Sequence, residues 1–334
     1  MADAHRAVET AAALRTWLEH EYGGTVLDAE APRSIGTGFS TLIDYVRFAG
    51  RDLPPEWTGP LVARTHKSVD EAAVARREAA IQDWCVAQAY PAPRVVAVFG
   101  PGELGDLPVQ VMERGPHATL FDAVKRAPWR APSLVDRLAA LQVRLHALPI
   151  EGWPEPDGEG LAERRLRLVR RWLAAHEDAD LRAALMRVEP LLPDLDAGPK
   201  VACHGDFHPL NVLVDGDDSM VIDWTDAALG DRHGDVARTH LLFHFGAALA
   251  TSNRAAKALV GASQGWLSKR FLHAYQRGVQ LDAARLRKWE AVHLLHGWAQ
   301  VVEAHDAGGP LADRVPVELL DWIRPRFEAA LNGG

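Results

Sequence analysis

The sequence predicts an α+β chain of two lobes, a small antiparallel-sheet lobe followed by a larger helical lobe. Three observations predict it. Short apolar runs bounded by Gly and Pro turns are confined to the stretch before residue 113. After Gly115-Pro116 those strand signals vanish and helical patterns take over. One segment, Val201 to Asp235, interrupts the helices and reads as a loop and hairpin. The domains expected are 1–112 for the sheet lobe with its N-terminal helix, 113–116 as a hinge, and 117–334 for the helical lobe.

The elements follow in order. Residues 5–21 read as an amphipathic helix with Val8, Ala12, Leu14, Trp17 and Leu18 on one side, stopped by Gly23-Gly24. Val26-Leu27 leads into a strand from Arg33, a glycine turn (Gly36-Thr-Gly38-Phe-Ser40) and a return strand Leu42 to Phe48. Leu61 to His66 is the third strand, entered from Pro54-Pro55 and Gly59-Pro60. Residues 69–89 form a helix that Pro91 and Pro93 end. Strands Arg94–Phe99 and Leu107–Met112 close the sheet. Helices are then expected at 118–126, 132–147, 160–177, 234–250, 264–278, 283–304 and 315–331.

Composition excludes several classes. The 334 residues carry a net charge of −8 and no basic stripe, which argues against a nucleic-acid partner. Two distant cysteines, Cys85 and Cys203, give no disulfide framework and fit a reducing compartment. No run of 18 apolar residues and no signal pattern is present, so the expected location is cytoplasmic, with no membrane partner. Nothing in the sequence sets the oligomeric state.

The charge itself is localised. Val201 to Asp235 holds eight acids against one base, a net −7. These acids alternate with Val212, Leu213, Val214, Met220, Val221 and Ile222, so they sit at the ends of short strands rather than in a solvated tail. Carboxylates in such places need neutralising, and a hard divalent cation with oxygen ligands does this well.

Within the segment, His204-Gly-Asp-Phe-His-Pro-Leu-Asn211 preserves the spacing H-x-D-x-x-x-x-N of a kinase catalytic loop. In that chemistry Asp206 accepts the proton of an attacking hydroxyl, and the amide oxygen of Asn211 holds Mg2+. Asp223, twelve residues after Asn211, ends a short strand and reaches the same cation. Asp226 and Asp231 read as turn residues or caps, and Asp235 as a brace for the loop. The same residues admit another reading. His204, Asp206 and His208 form H-x-D-x-H, the ligand set of a metal-dependent hydrolase.

HGDFHPLNVLVD followed by VIDWTDAALGDRHGDVA resembles the aminoglycoside phosphotransferase family, which also includes choline kinase-like small-molecule kinases. The resemblance is strongest over residues 202–240. It implies a protein-kinase-like two-lobed fold, ATP or GTP as phosphoryl donor, Mg2+, and a small hydroxylated acceptor. Asp206 would be the catalytic residue, with Asn211 and Asp223 as metal ligands. The expected function is transfer of the γ-phosphoryl group to an antibiotic of the aminoglycoside type, hence antibiotic resistance. A metabolite (sugar, amino alcohol) or a macrolide is the alternative acceptor.

The remaining nucleotide contacts are expected from Gly36, Gly38 and Ser40, whose backbone N–H groups would cover phosphates. Arg64 stands on the third strand where the kinase pattern has Lys, with Glu78 as its ion-pair partner and Lys67 as the alternative cation. For Glu78 a solvated helix face is the rival reading. Backbone groups of Glu113 and Gly115 would meet the purine edge, with Met112 as pocket wall or core. The acceptor is expected along Trp289, His293, His296, Gln300 and Glu303, a polar stripe at helical spacing that is either cleft or surface. Asp306 and Asp321 would add negative charge. Residues 236–334 hold twelve bases against eight acids, so no acidic bowl for a polycation is evident.

Overall fold

The computed structural model describes residues 2–37, 41–155, 158–250, 254–308 and 315–333. The chain divides into two compact units. One comprises Met1–Ala118 and Leu213–Thr225, the other Thr119–Val212 and Asp226–Gly334. No helix among the described residues is long and apolar enough to cross a membrane.

The first unit opens with α1 (Ala2–Tyr22) and the short strand β1 (Leu27–Asp28). Next come β2 (Arg33–Thr37), β3 (Thr41–Val46), β4 (Phe48–Ala49), α2 (Pro55–Thr58) and β5 (Leu61–His66). The helix α3 (Ala72–Ala87) and strands β6 (Val95–Phe99) and β7 (Val109–Glu113) complete a five-stranded antiparallel sheet in the order β2-β3-β5-β7-β6. A one-residue irregularity lies between Ser34 and Gly36 on β2. The buried stripe of α1 is Ala7, Ala11, Leu14 and Leu18, whereas Val8 is half exposed. The 4-3-4 spacing follows the 3.6-residue period more closely than the expected face did. Ala11, Leu14 and Leu18 of this stripe join Val46, Phe48, Trp57, Leu61, Ala63 and Val111 in one apolar core. Arg6 fixes the register of α1 by bonding the buried Asp44 of β3 at 2.9 Å.

The sheet unit also contains Leu213–Thr225, which the sequence reading placed in the helical lobe. The reason is local. The hairpin formed by β10 (Val212–Asp215) and β11 (Asp218–Val221) carries Val221, whose N–H bonds Pro91 O at 2.7 Å. Trp224, wholly buried, meets Tyr90 edge to face.

The second unit starts at the short strand β8 (Ala118–Thr119) with α4 (Leu120–Arg126), α5 (Ala131–His146) and α6 (Leu161–Ala175). Two helices that the sequence reading left unassigned follow, α7 (Ala179–Val188) and α8 (Leu192–Asp196). Strands β9 (Val201–Cys203) and β12 (Ala228–Gly230) pair antiparallel. The unit ends with α9 (Arg232–Ala250), α10 (Arg254–Gln276), α11 (Ala283–Ala307) and α12 (Leu319–Asn332). The helix α11 is central and packs on α6, α7, α8, α9 and α12.

Candidate active site

The loop after β9 carries the H-x-D-x-x-x-x-N residues, all in the helical unit. Gly205 sits at φ +80°, a left-handed conformation that costs glycine little. A Cβ there would stand 2.5 Å from Asp226 O and 3.0 Å from an Arg165 guanidinium nitrogen, so the position is closed to any side chain. The turn is pinned by Asp235 in the first turn of α9. Its Oδ1 accepts the Gly205 N–H at 2.6 Å and its Oδ2 accepts the His204 N–H at 3.2 Å. From the other side Arg165 of α6, buried, donates to Gly205 O and to Asp226 Oδ2. The loop-bracing role expected of Asp235 is what these contacts describe.

Asp206 keeps about a quarter of its side chain exposed. Arg238 of α9 donates to its Oδ1 through Nε at 3.1 Å and through a terminal nitrogen at 3.0 Å, and His208 Nε2 lies 3.2 Å from Oδ2. Burial works to raise this carboxyl, but Arg238, then His208 and Arg165, outweigh it and hold it well below the usual range. Asp206 is therefore a standing carboxylate at neutral pH. Asn211 donates its side-chain NH2 to the Asp206 carbonyl at 3.0 Å. That bond orients the amide and turns Oδ1, the atom that suits a hard cation, the other way.

Asp223 belongs to the sheet unit. It holds φ +66°, a strained conformation for a non-glycine residue, at a cost on the order of 1–2 kcal/mol. Its neighbours hold it there. Thr225 Oγ1 lies 3.0 Å from Asp223 Oδ1 and 3.1 Å from Glu78 Oε2, and the Trp224 N–H donates to Glu78 Oε1 at 3.1 Å. Arg64 donates to Glu78 Oε1 at 2.5 Å, to Asp223 Oδ1 at 3.3 Å and to Thr41 Oγ1 at 3.2 Å. Arg64 and Thr225 both meet Asp223 at Oδ1, and Oδ2 takes no hydrogen bond among the described residues. Glu78 is fully buried and is no solvated helix face. Lys67 is exposed at the end of β5. A carboxylate and an amide oxygen are hard donors, so Asp223 and Asn211 each fit a divalent cation of the Mg2+ type.

Of the other expected residues, Gly36 lies in β2 opposite Ile43. Gly38 and Ser40 fall outside the described residues. Glu113 ends β7 and its N–H bonds Arg94 O at 2.9 Å. Gly115 is closely covered, since a Cβ would collide with Met220 Sδ and lie 3.1 Å from Leu213 Cδ1. Met112 is buried.

The stripe on α11 is corrected by the structure. Trp289, His293 and His296 are buried and tie helices together rather than lining a polar surface. Trp289 Nε1 donates to Asp231 Oδ2 at 2.7 Å, His293 Nε2 lies 2.7 Å from Gly234 O, and His296 Nδ1 lies 2.8 Å from Arg165 O. Burial, then the nearby Arg165 and Arg238 charges, lower both histidines, His296 to about 3. Gln300 is exposed, and Glu303 pairs with exposed Arg171 at 2.7 Å. A helix packed on several sides buries its polar line as well as its apolar one. The neighbouring line Ala291, Leu294, Trp298 and Val301 is core, as its residues predict.

The hydrolase ligand set does not assemble. His204 is buried, its Nδ1 accepts the Asp206 N–H at 3.3 Å, and its ring packs edge-on to Phe207. His208 Nε2 meets the Asp206 carboxylate at 3.2 Å, on the oxygen that Arg238 leaves. Among the described residues one set of potential ligands lies within 4.8 Å, His146, Cys203 and Asp235. Burial, then Asp235 and Asp231, push the Cys203 thiol well up, so it is protonated, and the other two are already hydrogen-bonded. Sequence reasoning missed Arg165, Arg238, Gln142, His146 and Tyr275. The one available signal was that Arg238 lies three residues after Asp235, one turn along the same helix face.

The profile of the phosphotransferase enzyme family matches residues 55–289. No functionally curated protein matches by sequence. Solved structures share the fold at low identity. A GDP complex of a mutant aminoglycoside 2'-phosphotransferase-IIIa superposes with a TM-score of 0.65 at 18% identity, over 97% of this chain and 99% of that one. Apo aminoglycoside phosphotransferase APH(4)-Ia, in a thermostable mutant form, gives 0.59 at 18% identity, over 96% and 99%. The amicoumacin kinase hAmiN, solved with AMP-PNP, Ca2+ and Ami, gives 0.61 at 12% identity, over 98% and 96%. The small antiparallel sheet and the helical unit are thus the two lobes of a kinase-like fold.

Proposed function

The chain belongs to the phosphotransferase enzyme family and is a small-molecule kinase, and we propose that it moves the γ-phosphoryl group of ATP or GTP onto a hydroxyl of an antibiotic. The observation that carries this reading is the state of Asp206. It is an ionised carboxylate, aimed by Arg238 and His208, on a loop that Asp235 and Arg165 hold rigid. Phosphoryl transfer asks for positioning and charge neutralisation more than for a strong base. A carboxylate of depressed pKa suits it, because the proton need leave the attacking hydroxyl only late.

Each residue has a part. The acceptor hydroxyl oxygen bonds to the γ-phosphorus while the bond from that phosphorus to the nucleoside diphosphate breaks. The hydroxyl proton passes to Asp206. Arg64, held by Glu78, supplies the cation for the phosphates, with a fork that can bridge two oxygens. Asn211 Oδ1 and Asp223 Oδ2 would hold a divalent cation, which supplies charge neutralisation at the phosphate oxygens when bound. Mg2+ is the proposed ion. Gly36, Gly38 and Ser40 remain the proposed phosphate cover, and Glu113 and Gly115 the purine contacts.

The fold relatives include proteins named for aminoglycosides and for amicoumacin, which supports an antibiotic acceptor. The excess of bases after residue 235 favours a second reading, an acceptor less cationic than an aminoglycoside, such as a sugar, an amino alcohol or a macrolide. The test is a screen of hydroxylated antibiotics and metabolites for nucleoside-diphosphate release, with wild type beside Asp206→Asn. Acceptor-dependent release that falls by roughly 100-fold or more in the variant, with nucleotide affinity kept, supports the assignment. Release that is indifferent to Asp206 removes it.

A further inference from the structure

One carboxylate in the helical unit gathers donors from three directions, yet the transfer chemistry uses none of them as a reacting group. Asp235 is wholly buried. Besides the His204 and Gly205 amides, its Oδ2 accepts Gln142 Nε2 at 2.9 Å and meets His146 Nε2 at 3.0 Å. His146 closes the last turn of α5, and its other ring nitrogen lies 2.6 Å from the Tyr275 hydroxyl on α10. Among the described residues His146 is the one side-chain partner of that hydroxyl.

Burial raises the Tyr275 phenol above its ordinary value, so the hydroxyl stays protonated. His146 Nδ1 faces this hydroxyl and Nε2 faces the Asp235 carboxylate, an acceptor that calls for a proton on Nε2. Tyr275 thereby anchors the ring, His146 aims Asp235, and Asp235 holds two successive backbone amides of the loop that carries Asp206.

We propose that His146, oriented by Tyr275, is a positioning residue that acts through Asp235 to fix the loop bearing Asp206. Without its donor, Oδ2 keeps only Gln142 and the longer His204 contact. The carboxylate is then free to turn, and the His204–Gly205 peptide loses its fixed partner. The contacts themselves stand independently of the transfer reaction. Only the expected effect on turnover rests on the reading of Asp206 given above.

The experiment follows amide hydrogen exchange residue by residue by NMR in the full chain, for wild type, His146→Leu, His146→Gln and Tyr275→Phe. In His146→Leu the His204 and Gly205 amides should exchange roughly tenfold faster or more, while amides of α12 keep their wild-type protection. His146→Gln, which retains a donor towards Asp235, should recover most of the protection. Nucleoside-diphosphate release should fall in His146→Leu with the dissociation constant for MgATP unchanged. Wild-type protection of both loop amides overturns the proposal. So does a rise shared equally by α12, which marks a general loss of stability. If His146→Leu does not fold, Tyr275→Phe decides in the same way, since it leaves the ring and removes only the hydroxyl. Should Asp206→Asn retain transfer while the loop loosens in His146→Leu, the functional reading fails and the positioning stands.

Discussion

Arg64 donates to Glu78 at 2.5 Å inside the sheet unit, with Glu78 fully buried and Arg64 nearly so. This pair also holds the Asp223 turn, because Glu78 takes the Trp224 N–H and lies against the Thr225 hydroxyl. Glu78→Ala leaves a buried guanidinium short of its main partner. We expect it to cost roughly 3 kcal/mol in urea unfolding and to weaken nucleotide binding. Arg64→Lys keeps the charge but lacks the fork that serves Glu78, Asp223 and Thr41 together, and should raise the nucleotide dissociation constant about tenfold. Calorimetric titration with wild-type affinity in both variants would remove Arg64 from the phosphate site.

Gly205→Ala tests the loop geometry. The substitution meets both a positive φ and a Cβ 2.5 Å from Asp226 O. Backbone atoms cannot move aside as a side-chain tip can. A loss of about 2 kcal/mol or more is expected, together with a fall in turnover. An alanine variant as stable as wild type would show that the turn tolerates another conformation.

Acid should expose the work of Asp231. Burial acts to raise this carboxyl, but the His233 side chain and N–H, then Trp289, hold it at about 2 against an ordinary 3.8. A folded pKa below the unfolded one stabilises above the unfolded value and is lost as pH falls through the folded value. The contribution is roughly 2 kcal/mol at pH 6 and should fade between about pH 4 and pH 2. The stability difference between wild type and Asp231→Asn, from urea midpoints, should shrink across that window. A difference that stays constant would contradict the assignment.

Nucleotide and Mg2+ together should raise the melting temperature. At a hundred times the dissociation constant the gain is about 2.7 kcal/mol. Chelation of the metal, or the paired change Asn211→Ala with Asp223→Ala, should abolish most of it. Equal stabilisation by nucleotide in the absence of any divalent ion would remove these two residues from the metal site.

Much of the candidate site was readable because it is written in short spacings. Asp206 and Asn211 lie five residues apart on one loop, and Arg64 follows from the strand alternation that starts at Leu61. The supporting contacts are another matter. Arg165 meets Gly205 across 40 residues, His146 meets Asp235 across 89, and Tyr275 meets His146 across 129. No local pattern marks such pairs. The α11 stripe failed for a related reason. Periodicity finds a line of polar residues but does not say how many sides of the helix are covered, and here Trp289, His293 and His296 are enclosed.

From the chain alone came the order of sheet and helices, the loop and hairpin of the acidic segment, and the residue types suited to handling a metal-bound nucleotide. These depend on periodicity, turn chemistry and spacing, which act over a few residues. Folding in three dimensions settled that Leu213–Thr225 joins the sheet unit, that Glu78 is buried against Arg64, and that Asp235 grips the loop. Those outcomes depend on which distant surfaces exclude water together, and burial of that kind exists only once the chain has closed on itself.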